Sequence, residues 1–427
     1  MSPSDKTFRI LAASVSLILL AASLARASQT TLKECLDQAL RNNPSLKVSR
    51  NDSLIQSENV SLAESGYYPK VDLQAGYTAL VDPQAIKTNG GSFETQQPDY
   101  AFASLSIYQT IYDFGRRNRR KEQASLLEGS ISSNYGAMKK DVSLQVINSY
   151  YSVLHQIRLV DAAKDEVAQT EQHLKIATSL YEEGVTTRND LLQAEVKLSA
   201  SRQKLLVASN QLGNNWLQLN YLTGNAPENR ATLSEEVEIE QPRLDNDKRS
   251  LEKRDEIAAQ KSAVRAGESL VEESRREFYP ELFLKAGVDY LQNSKVVEQT
   301  MAAATVGIKV NLFDGMATTS RQRQAVRMLE KEKDRLRSLE EALLLEVHTA
   351  QNDLAVAAER IKMTKSAITQ SEENLRINND RYKAQVGTAT EVVDAQTLLS
   401  QAKSDHYQAL FDLQVARARV RRATGEL

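Results

Sequence analysis

Polar and apolar residues alternate in four short stretches of this 427-residue chain and recur at helical spacing through most of the rest. In the first stretch Val71, Leu73, Ala75, Tyr77 and Ala79 alternate with Lys70, Asp72, Gln74, Gly76 and Thr78, and in the second Ala103, Leu105 and Ile107 alternate with Ser104, Ser106 and Tyr108. Further on, Leu282, Leu284, Ala286 and Val288 alternate with Glu281, Phe283, Lys285 and Asp289, and Val306, Ile308, Val310 and Leu312 with Thr305, Gly307, Lys309 and Asn311. A period of two predicts strands, at about 70-80, 101-112, 281-290 and 303-313. Each is about ten residues, the length of a tilted membrane strand. A small soluble sheet would alternate in the same way. The strand-to-helix junctions favour the membrane, because they carry Tyr67, Tyr68, Tyr112, Phe114, Phe278, Tyr279 and Phe313, and aromatic residues collect at membrane interfaces. Four strands fall short of the eight in the smallest known membrane barrels, so the chain must oligomerise to close one.

The rest reads as helix. No proline occurs between 116 and 182, where Val146, Tyr150, Val153, Ile157 and Val160 keep helical spacing, and these sixty-seven residues make a rod of roughly 100 Å. After a break at 183–189, positions 191, 194, 198, 201, 205, 208, 212, 215, 219 and 222 form a heptad seam rich in Leu and small residues. A second seam on the same spacing reads Val392, Ala395, Leu399, Ala402, His406, Ala409, Leu413, Ala416, Val420 and Ala423. Small seam residues let helices pack closely, as the wall of a thin tube requires.

The two halves are copies. A shift of 201 residues superimposes Val146 on Val347, Tyr181 on Tyr382, Thr187 on Thr388 and Thr223-Gly224 on Thr424-Gly425, whereas Tyr68-Pro69 meets Tyr279-Pro280 at a shift of 211. The first copy therefore holds ten extra residues before Asp113, an insertion that predicts a surface loop. The expected organisation is a signal peptide at 1-27, a first repeat at 28-224 with long helices 116-182 and 190-222, a linker or equatorial segment at 225-250, and a second repeat at 251-427 with long helices 316-383 and 391-423. The fold class is mainly α with membrane β.

Composition narrows the functions. Lys6 and Arg9, an apolar run from Ile10 to Leu24 and then Ala25-Arg26-Ala27 have the form of a secretory signal peptide. Its removal takes the net charge from -2 to -4, which disfavours nucleic acid as a partner. The mean hydropathy of -0.46 leaves strands as the only route into a membrane. Cys35, the one cysteine, reads as a small buried side chain. The four histidines, His155, His173, His348 and His406, lack metal-ligand spacing, so no cofactor, metal or catalytic centre is expected and the protein does not read as an enzyme.

The chain resembles the TolC-type outer-membrane efflux family (outer membrane factors). The residues that carry the likeness are Leu32-Lys33-Glu34 leading to Ala39-Leu40-Arg41-Asn42-Asn43-Pro44, the two Tyr-Pro strand starts, Tyr181-Glu182-Glu183-Gly184 with Asp190-Leu191-Leu192-Gln193-Ala194, and Tyr382-Lys383-Ala384-Gln385-Val386-Gly387-Thr388 with Asp394-Ala395-Gln396. The resemblance spans 30 to 427. It implies a homotrimer in the outer membrane of a Gram-negative bacterium, a twelve-strand β-barrel with four strands per chain continuous with a helical coiled-coil tunnel, contact with outer-membrane lipid, a periplasmic adaptor (membrane-fusion) protein, and an inner-membrane transporter of the RND or ABC type. It also implies an exit duct for small molecules, or in the same architecture the duct of one-step (type I) protein secretion. A periplasmic coiled-coil scaffold explains the heptads but not the four alternating segments.

The resemblance also selects residues. Gly184 and Gly387 lie at the helix-turn tips. Glu391 and Asp394 match an acidic ring at the pore entrance, where a trimer would gather six carboxylates and attract cations. Tyr382, Asp190 and Gly387 match a periplasmic constriction, with Gly387 standing where the best-known member has an arginine and Gln385 where a glycine is common. Thr187-x-x-Asp190 and Thr388-x-x-Glu391 also fit capping boxes, so capping and pore lining both remain open for Asp190 and Glu391, and a solvated helix face remains open for Asp394. The run Arg116, Arg117, Arg119, Arg120 and Lys121 fits either contact with anionic headgroups or solvated helix charge.

Overall fold

The computed structural model describes residues 29–235 and 251–427, so the expected signal peptide and residues 236–250 of the expected linker lie outside the described residues. Contacts divide the chain into two compact units, each drawing on both repeats: one takes Ala137–Arg254, Leu343–Leu427 and the chain up to Val48, the other Ser49–Gly136 and Asp255–Ala342.

The second unit holds the sheet. Its strands are β1 (Lys70–Ala79), β2 (Ala85–Thr88), β3 (Gly91–Glu94), β4 (Asp99–Tyr112), β5 (Glu281–Leu291) and β6 (Thr300–Lys309). The large sheet is antiparallel throughout in the order β1-β4-β5-β6, so β1 and β6 are its edges. Register aligns the alternation across strands: Val71 lies opposite Ile107, Ile107 opposite Ala286, and Ala286 opposite Ala304, with Leu73, Leu105, Val288 and Ala302 forming the next apolar row. The same pairing gathers Asp72, Ser106, Tyr108, Lys285 and Thr305 on the other face. Neither face carries a core. Leu73 is 74 % exposed and Ile308 69 %, an arrangement that water penalises by about 25 cal/mol for each Å² of apolar surface.

Two features depart from the sequence reading. The insertion in the first repeat is a paired hairpin, β2–β3, because Asn89-Gly90 sits between the partners Thr88 and Gly91, the strongest short hairpin signal. Strand β6 stops at Lys309, short of 313, because its last partner is Glu281 and the residue before that is Pro280, which has no N–H to give. At the strand-to-helix end, Tyr112, Phe114 and Tyr279 form an aromatic chain with ring centroids 4.9 and 5.3 Å apart.

The rest of the described chain is mainly helical. Helix α1 (Leu32–Asn42) starts on a capping box between Thr31 and Glu34. It ends where Asn43 takes the extended backbone that a following proline imposes, and Pro44 opens α2 (Pro44–Ser65). The long helices are α3 (Arg116–Glu182), α4 (Arg188–Thr223), α6 (Ala317–Lys383) and α7 (Ala389–Ala423), with α5 (Asp255–Arg276) before β5. Helices α4 and α7 begin two residues before the expected 190 and 391, since Thr187 and Thr388 are themselves the N-caps. The second heptad seam is buried at eight positions, Val392, Ala409, Val420 and Ala423 having no measurable exposure, while His406 and Leu413 are half-buried.

The repeat survives in individual hydrogen bonds. Asn43 Nδ2 donates to the carbonyl of Leu222 at the end of α4, 2.9 Å away, and Arg254, its counterpart in the second copy, donates from Nη1 to the carbonyls of Ala423 and Arg422 at the end of α7, at 2.9 and 3.1 Å. Each satisfies helix-terminal acceptors that the helix cannot. Beside them, Gly224 and Gly425 are left-handed at φ 71° and 79°. A Cβ on Gly224 would stand 2.7 Å from Cβ of Asn42.

Across the bundle, Glu166 on α3 is the buried ionic link. Its carboxylate accepts from Lys204 Nζ on α4 at 2.7 Å and Ser400 Oγ on α7 at 2.7 Å, with Lys197 Nζ at 3.4 Å. Burial opposes its ionisation, but Lys204, Ser400 and Lys197 outweigh that and hold the carboxyl below its ordinary 4.5.

Two outcomes follow from this packing. Gly224→Ala should lower stability by roughly 2 kcal/mol or more, read as a fall in melting temperature, because the left-handed backbone and the Asn42 contact both oppose a side chain. Because the folded pKa of Glu166 is depressed, its stabilisation is complete above the ordinary value and fades as pH falls through the folded one. Thermal denaturation of Glu166→Gln should therefore show a deficit near neutrality that narrows in acid below about pH 4.5.

Candidate functional site

Helices α3 and α6 end in paired turns within the first unit. After α3, Gly184 adopts φ 74°, its amide donates to the carbonyl of Tyr181 at 3.0 Å, and the amide of Val185 donates to the carbonyl of Leu180 at 2.8 Å. After α6 the same closure is made by Gln385 at φ 63°, donating to the carbonyl of Tyr382 at 3.0 Å, with Val386 donating to that of Arg381 at 3.0 Å. Thr390 Oγ1 donates to Gln193 Oε1 at 3.3 Å and Lys197 Nζ to Thr397 Oγ1 at 3.0 Å, so the starts of α4 and α7 lie side by side.

Each residue singled out from the sequence has a definite place. Asp190 accepts from Thr186 Oγ1 at 2.6 Å, Thr187 Oγ1 at 2.9 Å and the Thr187 amide at 3.2 Å, and the Thr186 hydroxyl foremost, with Thr187, holds its carboxyl below the usual aspartate range. Tyr382 is buried in the cluster of Leu375, Val392, Ala395 and Leu399, and among the described residues its hydroxyl makes no well-formed hydrogen bond, approaching only the Thr186 hydroxyl. Burial, and then the nearby Asp190 carboxylate, raise its pKa against a smaller lowering by the Thr186 hydroxyl. The structure thus brings Asp190 and Tyr382 together. Gly387 lies in the second turn without a left-handed φ, and a Cβ there would sit 3.0 Å from Cβ of Arg381 and 3.1 Å from Oε2 of Glu391.

Glu391 and Asp394 part company. Glu391 completes the capping box with Thr388 and lies 3.6 Å from Arg381 Nη1, an ion pair the sequence reading missed because the partners stand on opposite arms of a turn. Asp394 is exposed and has no hydrogen bond or ion pair among the described residues. The sequence assigns no site role to two further residues: His173, read as an ordinary helix residue, whose ring lies 5.5 Å from that of Tyr382, and buried Gln396, which enters only through the family likeness. Their long-range approach leaves no local sequence signal.

The basic run at the start of α3 is spent within the chain. Arg116 pairs with Glu281, Arg117 with Asp113, Arg119 with Glu122, Arg120 with Glu273 and Lys121 with Glu64, at 2.7 to 3.5 Å. This favours structural charge over headgroup contact. Among the described residues no group of three or more His, Cys, Asp or Glu could hold a metal, and no helix is long and apolar enough to cross a membrane. Burial pushes the Cys35 thiol up to about 11, with Glu34 adding to it, which leaves it un-ionised at neutral pH.

A sheet with two open edges and an exposed apolar face, joined in one chain to paired coiled-coil helices, defines a subunit of an oligomeric membrane channel. The model of the family described as "Outer membrane efflux protein" matches residues 35–225 and 248–426, and the chain belongs to that family. It is 24 % identical over 421 residues to Outer membrane protein TolC of Escherichia coli (strain K12), covering 93 % of this chain and 82 % of that protein. To Alkaline protease secretion protein AprF of Pseudomonas aeruginosa it is 22 % identical over 357 residues, covering 81 % of this chain and 74 % of the relative. Among solved structures, the channel CusC superimposes with a TM-score of 0.81 at 15 % identity, covering 93 % of this chain and 92 % of that one. The protein is an outer-membrane exit channel, and its family is one of ducts.

The left-handed Gln385 carries a testable cost. Gln385→Gly should raise stability by about 1 kcal/mol in thermal or denaturant unfolding, since glycine adopts this conformation without the Cβ penalty.

Proposed function

We propose that three copies of the chain close a twelve-strand barrel and serve as the passive exit duct of a tripartite efflux system, taking small molecules from a periplasmic adaptor and an inner-membrane transporter of the RND or ABC type. One observation carries the reading: the four-stranded sheet exposes an apolar face and leaves both edges unpaired. In hydrocarbon an unpaired strand edge has no water to turn to, so the edges must pair with one another. Strands β1 and β6 run in opposite directions, so β6 of one copy adds to β1 of the next in the antiparallel sense, a head-to-tail contact that closes into a ring. Three as the number of copies comes from the family resemblance. A coiled-coil scaffold would leave the apolar sheet face in water.

In this reading the paired turns form the closed periplasmic end, Asp190 and Tyr382 belong to its constriction, and Asp394 with Glu391 lines its entrance. Asp394, unpaired, supplies the freer charge, whereas Glu391 is held by its cap and by Arg381. Protein secretion is the second reading, favoured by the likeness to a protein named for alkaline protease secretion.

In planar bilayers the purified protein should form cation-preferring pores, and on a mild gel it should run as a trimer that dissociates on boiling. Asp394→Ala with Glu391→Ala should weaken block by a multivalent cation by about tenfold or more. Unchanged single-channel behaviour would remove both residues from the pore, and absence of conductance would reject the duct.

A further inference from the structure

Beside the second turn lies a half-open cavity of about 510 Å³ lined by three helices, with Gln169, Gln172 and His173 from α3, Tyr382 and Lys383 from α6, and Gln396 from α7. His173, Tyr382 and Gln396 are only 5, 7 and 5 % exposed. Among the described residues each nevertheless holds a buried polar atom without a well-formed hydrogen bond: His173 Nε2, the Tyr382 hydroxyl, which only approaches the Thr186 hydroxyl, and Gln396 Oε1. Native interiors rarely leave such atoms unpaired, and three at one helix junction mark packing that gives up hydrogen bonds to stay closed.

The charges around the imidazole do nothing to relieve it. On α6, Lys383 lines the same cavity with a positive charge, and the neighbouring Tyr382 is neutral. From α7 the cavity receives Gln396, and the Asp190 carboxylate of α4, which acts on Tyr382, is already taken up by Thr186 and Thr187. On α3 itself the flanking side chains are the uncharged Gln169 and Gln172. A proton on His173 would therefore be buried with no acidic group among the residues lining the cavity to offset it.

We infer that His173 is a proton-operated release for this junction: acid favours a state in which α3 parts from α6 and α7, water enters the cavity, and the turns loosen. The thermodynamics is that of linkage. The closed packing disfavours protonated His173, the hydrated state accepts it, and the state that binds more protons gains population as pH falls. Burial, which already holds His173 below the ordinary histidine value, sets the same direction. Protonation also frees Tyr382 and Gln396 to meet water, so relief of the two remaining unpaired atoms accompanies opening.

The inference rests on reading the paired turns as the closed end of the duct. The test uses the full-length protein in planar bilayers, with pH stepped from about 7.5 to about 5, across the range where histidine titrates. The wild-type open fraction should rise, on the order of tenfold per His173 for each pKa unit separating the two states. His173→Gln and His173→Phe, neither of which titrates, should both flatten the response while still forming boil-sensitive trimers. A wild-type open fraction independent of pH, or a rise retained in both variants, overturns the inference. Failure to conduct at any pH is a separate result, one that rejects the duct itself and the release with it.

Discussion

The unpaired edges of a four-stranded sheet constrain everything else in this molecule. Backbone N–H and C=O groups must be hydrogen-bonded wherever water is absent, and a single chain has no means of pairing both β1 and β6. Its apolar rows, Val71 to Ala304 and Leu73 to Ala302, have no protein core to enter. Oligomerisation is thus a condition of the fold. The buried seams, by contrast, lie in the helices, and the outward apolar rows of the sheet are left for neighbouring copies and the lipid.

Duplication supplied the parts, and divergence gave them different work. Asn43 and Arg254 occupy corresponding places and satisfy the same kind of helix-terminal carbonyl, one as a neutral amide and the other as a guanidinium also bonded to Glu346. Gly184 and Gln385 both turn the chain through the left-handed region, at a cost only the glutamine bears. Asp190 and Glu391 each complete a capping box, yet one faces a buried tyrosine and the other an exposed arginine. These differences make the two turns inequivalent in their bonding.

Much of the architecture was legible because it rests on local periodicity. Alternation marked all four strands of the large sheet, and heptads marked the seams that prove buried at Val392, Ala409 and Val420. The hairpin was missed although Asn89-Gly90 announced it, since its flanking strands have four residues each, too few for a period to register. At the turns, the cap roles of Thr187 and Thr388 could be read from spacing, whereas the ion pair of Arg381 with Glu391 depends on how the chain reverses. The grouping of His173, Tyr382 and Gln396 lay beyond sequence reasoning altogether, because it requires three helices from two repeats to converge.

The hairpin β2–β3 belongs to one repeat only, and it is tied to the loop of the other by Asn293 Nδ2 donating to the carbonyl of Thr95 at 2.8 Å and by the Lys295–Glu94 pair. Going around the closed barrel, loops that bear a hairpin would alternate with loops that do not, so the rim facing the outside keeps only the symmetry of the chains and loses that of the repeats. An antibody raised against Ile86 and Phe93 would count protomers, binding once per chain at a mouth whose walls are otherwise built from twice as many similar units.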